Sequence, residues 1–263
     1  VPLTTPATAL AADWIALAVI LLACAALVST VTTSAWTPVG RMWLRTGSVA
    51  VLFAALTAQV AASGWLTGGD GPTLDWLMAH RSATWTSIAK FITNAGGPAG
   101  TIAIGVVIAA FLTWRTRRVV PGAAVLGTVA IAAVANTVMK SLIGRERPPV
   151  LTHLVDETDL SYPSGHVAGT TALVGVVLLV YIAGRPSRVR AGIAAAAAVL
   201  VVAVVALTRL YLGVHWLSDT LGGALLGTTV VLAVAAVVTS APALDIRARA
   251  RRPGASQALA PAG

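Results

Sequence analysis

The chain predicts an all-α fold, a polytopic bundle of transmembrane helices, and three observations carry that expectation. It is 57% hydrophobic and only 10% charged, with a mean hydropathy of +0.86, whereas soluble domains carry about 25% charged residues. Its apolar residues gather into seven runs, most of them near the ~20 residues that cross a hydrocarbon core as a helix. Its Lys and Arg fall mainly between and after those runs.

Backbone groups in lipid must be paired inside their own segment, so helices are the simplest spanning element. The runs cover residues 12–33, 46–64, 98–114, 120–140, 166–184, 191–208 and 217–240, that at 98–114 being the shortest. The first lacks a basic leading region and is long for a signal peptide, so it reads as a retained span. Residues 1–45 are thus an N-terminal helix with a cytoplasmic loop, and 46–240 form the main domain. Between the second and third runs, Leu74, Leu77, Met78, Trp85, Ile88 and Phe91 recur near helical spacing, with Trp76 among them. That pattern predicts one interfacial helix over 72–94, with His80 and Arg81 exposed to solvent. Ala, Val, Leu and Gly dominate the spans, and pairs such as Gly222-Gly223 suit close helix packing. The Arg-, Pro- and Ala-rich segment 241–263 reads as an irregular cytoplasmic tail.

The net charge is +9, yet the basic residues form short patches rather than a nucleic-acid surface. The patches are Arg41 and Arg45; Arg115, Arg117 and Arg118; Arg185, Arg188 and Arg190; and Arg247, Arg249, Arg251 and Arg252. Placing all four inside, as basic loops require, puts residues 65–97, 141–165 and 209–216 outside. Six Trp (14, 36, 43, 65, 114 and 216) flank the spans, where amphipathic rings favour the interface. A single cysteine, Cys24, rules out a disulfide framework or a thiolate metal site and reads as a packing residue.

Three polar islands lie on or beside that outer face. The first runs from Lys140 to Arg147-Pro148, two cations carried by a helix end and the loop that Gly144 and Pro148 introduce. They suit an anion, and Arg145 is a further cation for the same pocket. The second is Pro163-Ser164-Gly165-His166 before an apolar run, where Ser164 fits an N-cap and backbone N–H groups can meet an anion. In the third, His215 and Asp219 share a helix face at four-residue spacing, with Arg209 six residues before the histidine. A carboxylate on one ring nitrogen leaves the other free as a nucleophile. An aspartate opening a membrane span is costly unless paired. Asp156, Glu157 and Asp159 read as a solvated acidic stretch rather than a Mg²⁺ cluster.

These islands resemble the three signature motifs of the type 2 phosphatidic acid phosphatase (PAP2) superfamily, which also includes vanadium haloperoxidases. Lys140, Arg147 and Pro148 match its first motif, residues 163–166 its second without change, and Arg209, His215 and Asp219 its third. Thr208 stands where that motif usually has Ser. The resemblance extends over roughly 46–240 and implies a six-helix core with one extra N-terminal span. It further implies metal-independent phosphoryl transfer without a cofactor. Lys140, Arg147 and Arg209, with Ser164 and Gly165, would bind phosphate oxygens. His215 would attack phosphorus, Asp219 would hold its ring, and His166 would protonate the leaving oxygen and then activate water. The expected activity is hydrolysis of a lipid phosphomonoester or diphosphate, of phosphatidate, phosphatidylglycerophosphate or polyprenyl diphosphate type. It would act at the extracytoplasmic face of a bacterial cell membrane. The alternatives are a phosphotransferase with a lipid or sugar acceptor, a haloperoxidase, and a transporter or scaffold without catalysis.

Overall fold

The computed structural model describes residues 6–184 and 186–250, with side chains over 13–184 and 186–240. Nine helices appear among the described residues: α1 (Pro6–Thr32), α2 (Pro38–Ala61), α3 (Asp70–Ala79), α4 (Ala83–Gly96), α5 (Pro98–Thr116), α6 (Val119–Ile143), α7 (Gly165–Ala183), α8 (Arg188–Tyr211) and α9 (Leu217–Ala250). Short 3₁₀ turns follow at Trp65–Thr67 and Val150–Thr152. Seven helices, all but α3 and α4, are long and apolar enough to cross a membrane, and the chain is an integral membrane protein.

Local chemistry sets the helix ends. The Thr37 hydroxyl caps α2 by accepting from Gly40 N at 3.0 Å, with Pro38 in the first turn. Gly97 in extended conformation precedes Pro98 and starts α5. Threonines inside the spans, among them Thr57 and Thr128, donate to the carbonyl four residues back, which satisfies their hydroxyls in an apolar setting.

α7 lies at the centre, packed against α6, α8 and α9, while α2 packs on α9 and α5 on α6. The extra helix α1 packs against α2. Gly223 and Gly227 bring α9 close to α7: a Cβ on either would sit 2.6 Å from Ser164 O or 2.7 Å from Ala168 O. The Gly222-Gly223 pair therefore serves packing, as its small size predicts.

Four expectations change. The single helix over 72–94 is two: the first ends at Ala79 with His80 as its C-cap, and Ser82 caps the second, its hydroxyl accepting from Trp85 N. Arg81, in that turn, is half-buried rather than solvated and donates to Tyr211 O at 3.0 Å and Thr152 O at 2.9 Å. Cys24 is exposed on α1 rather than packed inside. α9 continues to Ala250, through alanines and arginines that favour helix, so 241–250 is not irregular. The rest of the expected tail, 251–263, lies outside the described residues, as does Arg185; of Arg247 and Arg249 only the backbone is described.

Candidate active site

The loops after α6 and α8, together with the start of α9, meet at one end of the bundle. Two glycines in the left-handed region shape that end. Gly144, at φ 66°, closes α6 and turns the chain into Arg145-Glu-Arg147. Gly213, at φ 73°, turns the chain after α8, and a Cβ there would lie 2.2 Å from Thr152 O. Leu154 N donates to Leu212 O at 2.9 Å and Trp216 Nε1 to Glu146 O at 3.1 Å, fastening these loops together.

All eight residues singled out from the sequence lie at this end. Lys140, Arg147, Gly165, His166 and His215 line one cavity of 270 Å³ that continues along Ile102, Val129, Ala132 and Ala133 between α5 and α6. Asp219 stands behind His215, with Oδ2 3.3 Å from Nδ1. On its other ring nitrogen, His215 Nε2 is 3.1 Å from Arg147 NH1. A guanidinium only donates, so Nε2 is the acceptor and Nδ1 carries the proton toward Asp219. Burial, outweighing the attraction of Asp219 and reinforced by Arg147 and Arg209, lowers the His215 pKa to about 4. The ring is therefore neutral at pH 7.

Ser164 holds the N-cap position of α7, but its hydroxyl makes no capping bond. It is wholly buried, and its Oγ has no hydrogen-bond partner among the described residues. Its backbone N–H donates to Asp219 O at 3.0 Å, tying the second island to the third. Gly165 lies against Asn136, whose Oδ1 would be 3.1 Å from an added Cβ and whose amide donates to Pro163 O at 3.0 Å. His166 reaches toward Gly97, where a Cβ would sit 3.1 Å from its Nε2. Arg209, 1% exposed, donates to Thr93 Oγ1 at 2.9 Å and to Glu157, while its Nε is also buried without a partner. Buried donors and acceptors are seldom left unpaired. Two such atoms at an end rich in cations fit an anion with several acceptor oxygens. Thr208 turns away, donating to Val205 O at 2.7 Å.

The acidic stretch is not wholly solvated. Asp159 pairs with Lys140 at 2.7 Å and with Arg147, and Glu157 pairs with both Arg147 and Arg209. Burial would raise the Asp159 pKa, but the hydrogen bonds from Lys140 and Arg147 outweigh it and hold the group at about 2. Two carboxylates thus engage all three cations, as buried or half-buried charges require in an apolar chain. Only Asp156 of the three acids is exposed without such a pairing among the described contacts.

Arg145 also differs from expectation, pairing with Asp219 and Asp70 rather than lining the cavity. Ser161, Thr93, Asn136 and Asp70 are further parts of this end that sequence reasoning missed. One signal was available: with only nine Asp and Glu in the chain, acids beside a cationic motif are its natural partners.

Comparison with known proteins follows the same lines. The family model described as PAP2 superfamily matches residues 121–242, which contain all three islands. Phosphatidylglycerophosphatase B of Bacillus subtilis (strain 168) is 36% identical over 94 residues, 35% of this chain. That alignment spans 45% of the relative, less than half its length. The crystal structure of a transmembrane PAP2 type phosphatidylglycerolphosphate phosphatase from Bacillus subtilis superposes with a TM-score of 0.68 at 23% identity, covering 74% of this chain and 96% of that one. Aquifex aeolicus LpxE gives a TM-score of 0.50 at 19% identity over 63% of this chain and 94% of its own. Both likenesses concern the fold. By the match over residues 121–242 the chain is similar to the PAP2 superfamily in that part, and its transmembrane bundle shares its fold with the two solved structures.

Proposed function

We propose that the protein is a lipid phosphatase that removes a phosphomonoester or diphosphate group from a lipid through a phosphohistidine on His215. The observation that carries this reading is the single cavity in which Lys140, Arg147, His166 and His215 stand over an apolar cleft between α5 and α6. A charged headgroup fits the upper part while a hydrocarbon chain follows the cleft toward lipid. The relatives named as phosphatidylglycerophosphatases support the substrate class.

The chemistry follows from the groups present. Lys140, Arg147 and Arg209, with the free Ser164 hydroxyl, hold the phosphate oxygens and stabilise the charge that grows on them in flight. His215 Nε2 attacks phosphorus in line, the P–O bond to the lipid breaks, and His166 gives its proton to the departing oxygen. His166 then takes a proton from water, whose oxygen attacks phosphorus; the P–N bond breaks, and inorganic phosphate leaves with His215 neutral again. Asp219 holds Nδ1–H throughout and balances the charge on the phosphorylated ring. The guanidinium and ammonium groups supply the charge that a divalent ion would otherwise provide, so the reaction is metal-independent. The basic patches at the opposite end, which favour retention inside, support an extracytoplasmic position for this end of the bundle.

Phosphate release by purified protein in detergent tests this, with phosphatidate, phosphatidylglycerophosphate and polyprenyl diphosphate offered in parallel. The expected result is turnover of at least one lipid that survives EDTA, is blocked by vanadate, and disappears in His215→Ala. Turnover that requires Mg²⁺, or none with any lipid phosphate, contradicts the reading.

A further inference from the structure

Arg145 lies in the first island but outside the cavity. Its guanidinium is forked between two buried carboxylates: NH1 donates to Asp219 Oδ1 at 2.6 Å and NH2 to Asp70 Oδ2 at 2.7 Å. NH1 also donates to Ser218 Oγ at 2.7 Å, and the group stands 5.7 Å over the Trp216 ring. Asp70, 5% exposed at the start of α3, accepts from Ser218 N at 2.8 Å and Ser218 Oγ at 2.7 Å. One cation therefore joins α3, the loop after α6 and the first turn of α9, which carries Asp219.

Asp219 is wholly buried and accepts from four groups. Arg145 holds Oδ1, while Trp216 N at 2.8 Å, Ser161 Oγ and His215 Nδ1 share Oδ2. Its negative charge is thus divided between Arg145 and the His215 ring. Asp70 in turn draws on the charge of Arg145. The other charged and titratable groups around His215 are Arg147 and Lys140 at the cavity wall, Arg209 on α8, His166 on α7, and Glu157 and Asp159, which pair with those cations.

We infer that Arg145 and Asp70 are positioning residues for the His215–Asp219 pair: Arg145 fixes the Asp219 carboxylate and limits its pull on a proton at His215, and Asp70 sets how much of that cation Asp219 receives. The inference rests on the reading of His215 as the nucleophile. Without Arg145, Asp219 would face the imidazole with its whole charge and raise the midpoint of the His215 titration, while the ring stays neutral near pH 7. Asp219 would also lose one of the contacts that hold its plane. Without the charge of Asp70, Arg145 would bear more fully on Asp219, and the effect would be of opposite sign.

The test uses the full chain in detergent with Arg145→Gln, Arg145→Lys and Asp70→Asn. Two quantities are measured: kcat and KM for a lipid phosphate, and the titration of the His215 ring by ¹⁵N-imidazole NMR without substrate. Arg145→Gln should lower kcat on the order of 10²-fold with KM little changed, the signature of a group acting on chemistry rather than on binding. Arg145→Lys should recover part of that loss. The midpoint of the His215 titration should rise by about one unit in Arg145→Gln and fall in Asp70→Asn. A raised KM with kcat preserved would make Arg145 a substrate contact and overturn the inference. So would an unmoved His215 titration in a folded variant that has lost activity, since that is scaffold damage alone. If Arg145→Gln fails to fold, Asp70→Asn decides the matter: a fall in the His215 midpoint supports the inference, and an unmoved or raised midpoint overturns it. If the wild type releases no phosphate from any lipid, the proposed function fails, while the NMR titration still judges the Arg145–Asp219 coupling.

Discussion

Arg147 NH1 lies 3.1 Å from His215 Nε2, on the ring edge opposite Asp219. The same guanidinium also holds Glu157 and Asp159. The nitrogen proposed as nucleophile is thus engaged by a cation that two carboxylates keep in place. An incoming phosphate, with more acceptor oxygens and more charge than either acid, would draw Arg147 onto itself and release Nε2 in the same movement.

Glu157 and Asp159 would then compete with the phosphate for the three cations. Glu157→Gln or Asp159→Asn should tighten inhibition by inorganic phosphate or vanadate several-fold, about 1 kcal/mol for an ion pair at a half-exposed rim. Inhibition constants measured on detergent-solubilised protein check this. Weaker binding would mean that the acids position the cations rather than compete for them.

The lowered His215 pKa sets a pH dependence. A nucleophile that must be neutral is lost as pH falls through its pKa, and kcat/KM reports the free enzyme. The acid limb of kcat/KM governed by His215 should therefore lie near pH 4, well below the ~6.5 of an ordinary histidine. A pH–rate profile in detergent measures it. A limb at or above 6.5 would contradict the lowered His215 pKa.

The unpartnered Ser164 hydroxyl predicts a binding role. Ser164→Ala removes the proposed donor to phosphate without breaking a hydrogen bond among the described residues. Thermal stability should hold or rise, because the hydroxyl removed is buried and unpaired, while kcat/KM falls on the order of 10-fold, as loss of one hydrogen bond to a charged group implies. Parallel melting curves and lipid phosphate kinetics separate the two effects.

Sidedness can be read by labelling. In a Cys24→Ala background, Leu151→Cys lies beside the site on a residue 98% exposed, and Arg188→Cys lies at the opposite end, at the start of α8. An impermeant thiol reagent added to intact cells should modify the first and spare the second. The reverse would place the site on the inner face, and equal labelling would overturn the orientation.

Much of this was legible in the sequence because two physical rules act locally. Lipid demands long apolar helices, and it tolerates charge only where charge is partnered; the spans and Lys140, Arg147, His215 and Asp219 followed from those rules. What escaped depends on contacts between distant elements. The break between α3 and α4 had a local cue in Ser82, but the apolar spacing runs on across it. Arg145 and Arg147 are two residues apart and chemically alike, yet one faces the cavity and the other Asp70, 75 residues earlier in the chain. No period or spacing encodes that choice. Likewise Glu157 and Asp159 look like any solvated acidic loop until the fold brings Arg209 and Lys140 to them.

Trapping the phosphorylated enzyme addresses the central claim most directly. Rapid quench of the purified protein with a turned-over lipid phosphate, followed by peptide mass spectrometry under alkaline conditions, should find an acid-labile phosphate on His215 in the wild type. His166→Ala should accumulate it, and His215→Asn should lack it. Steady turnover with no phosphate on His215 at any time, or phosphate carried by another residue, would contradict the account.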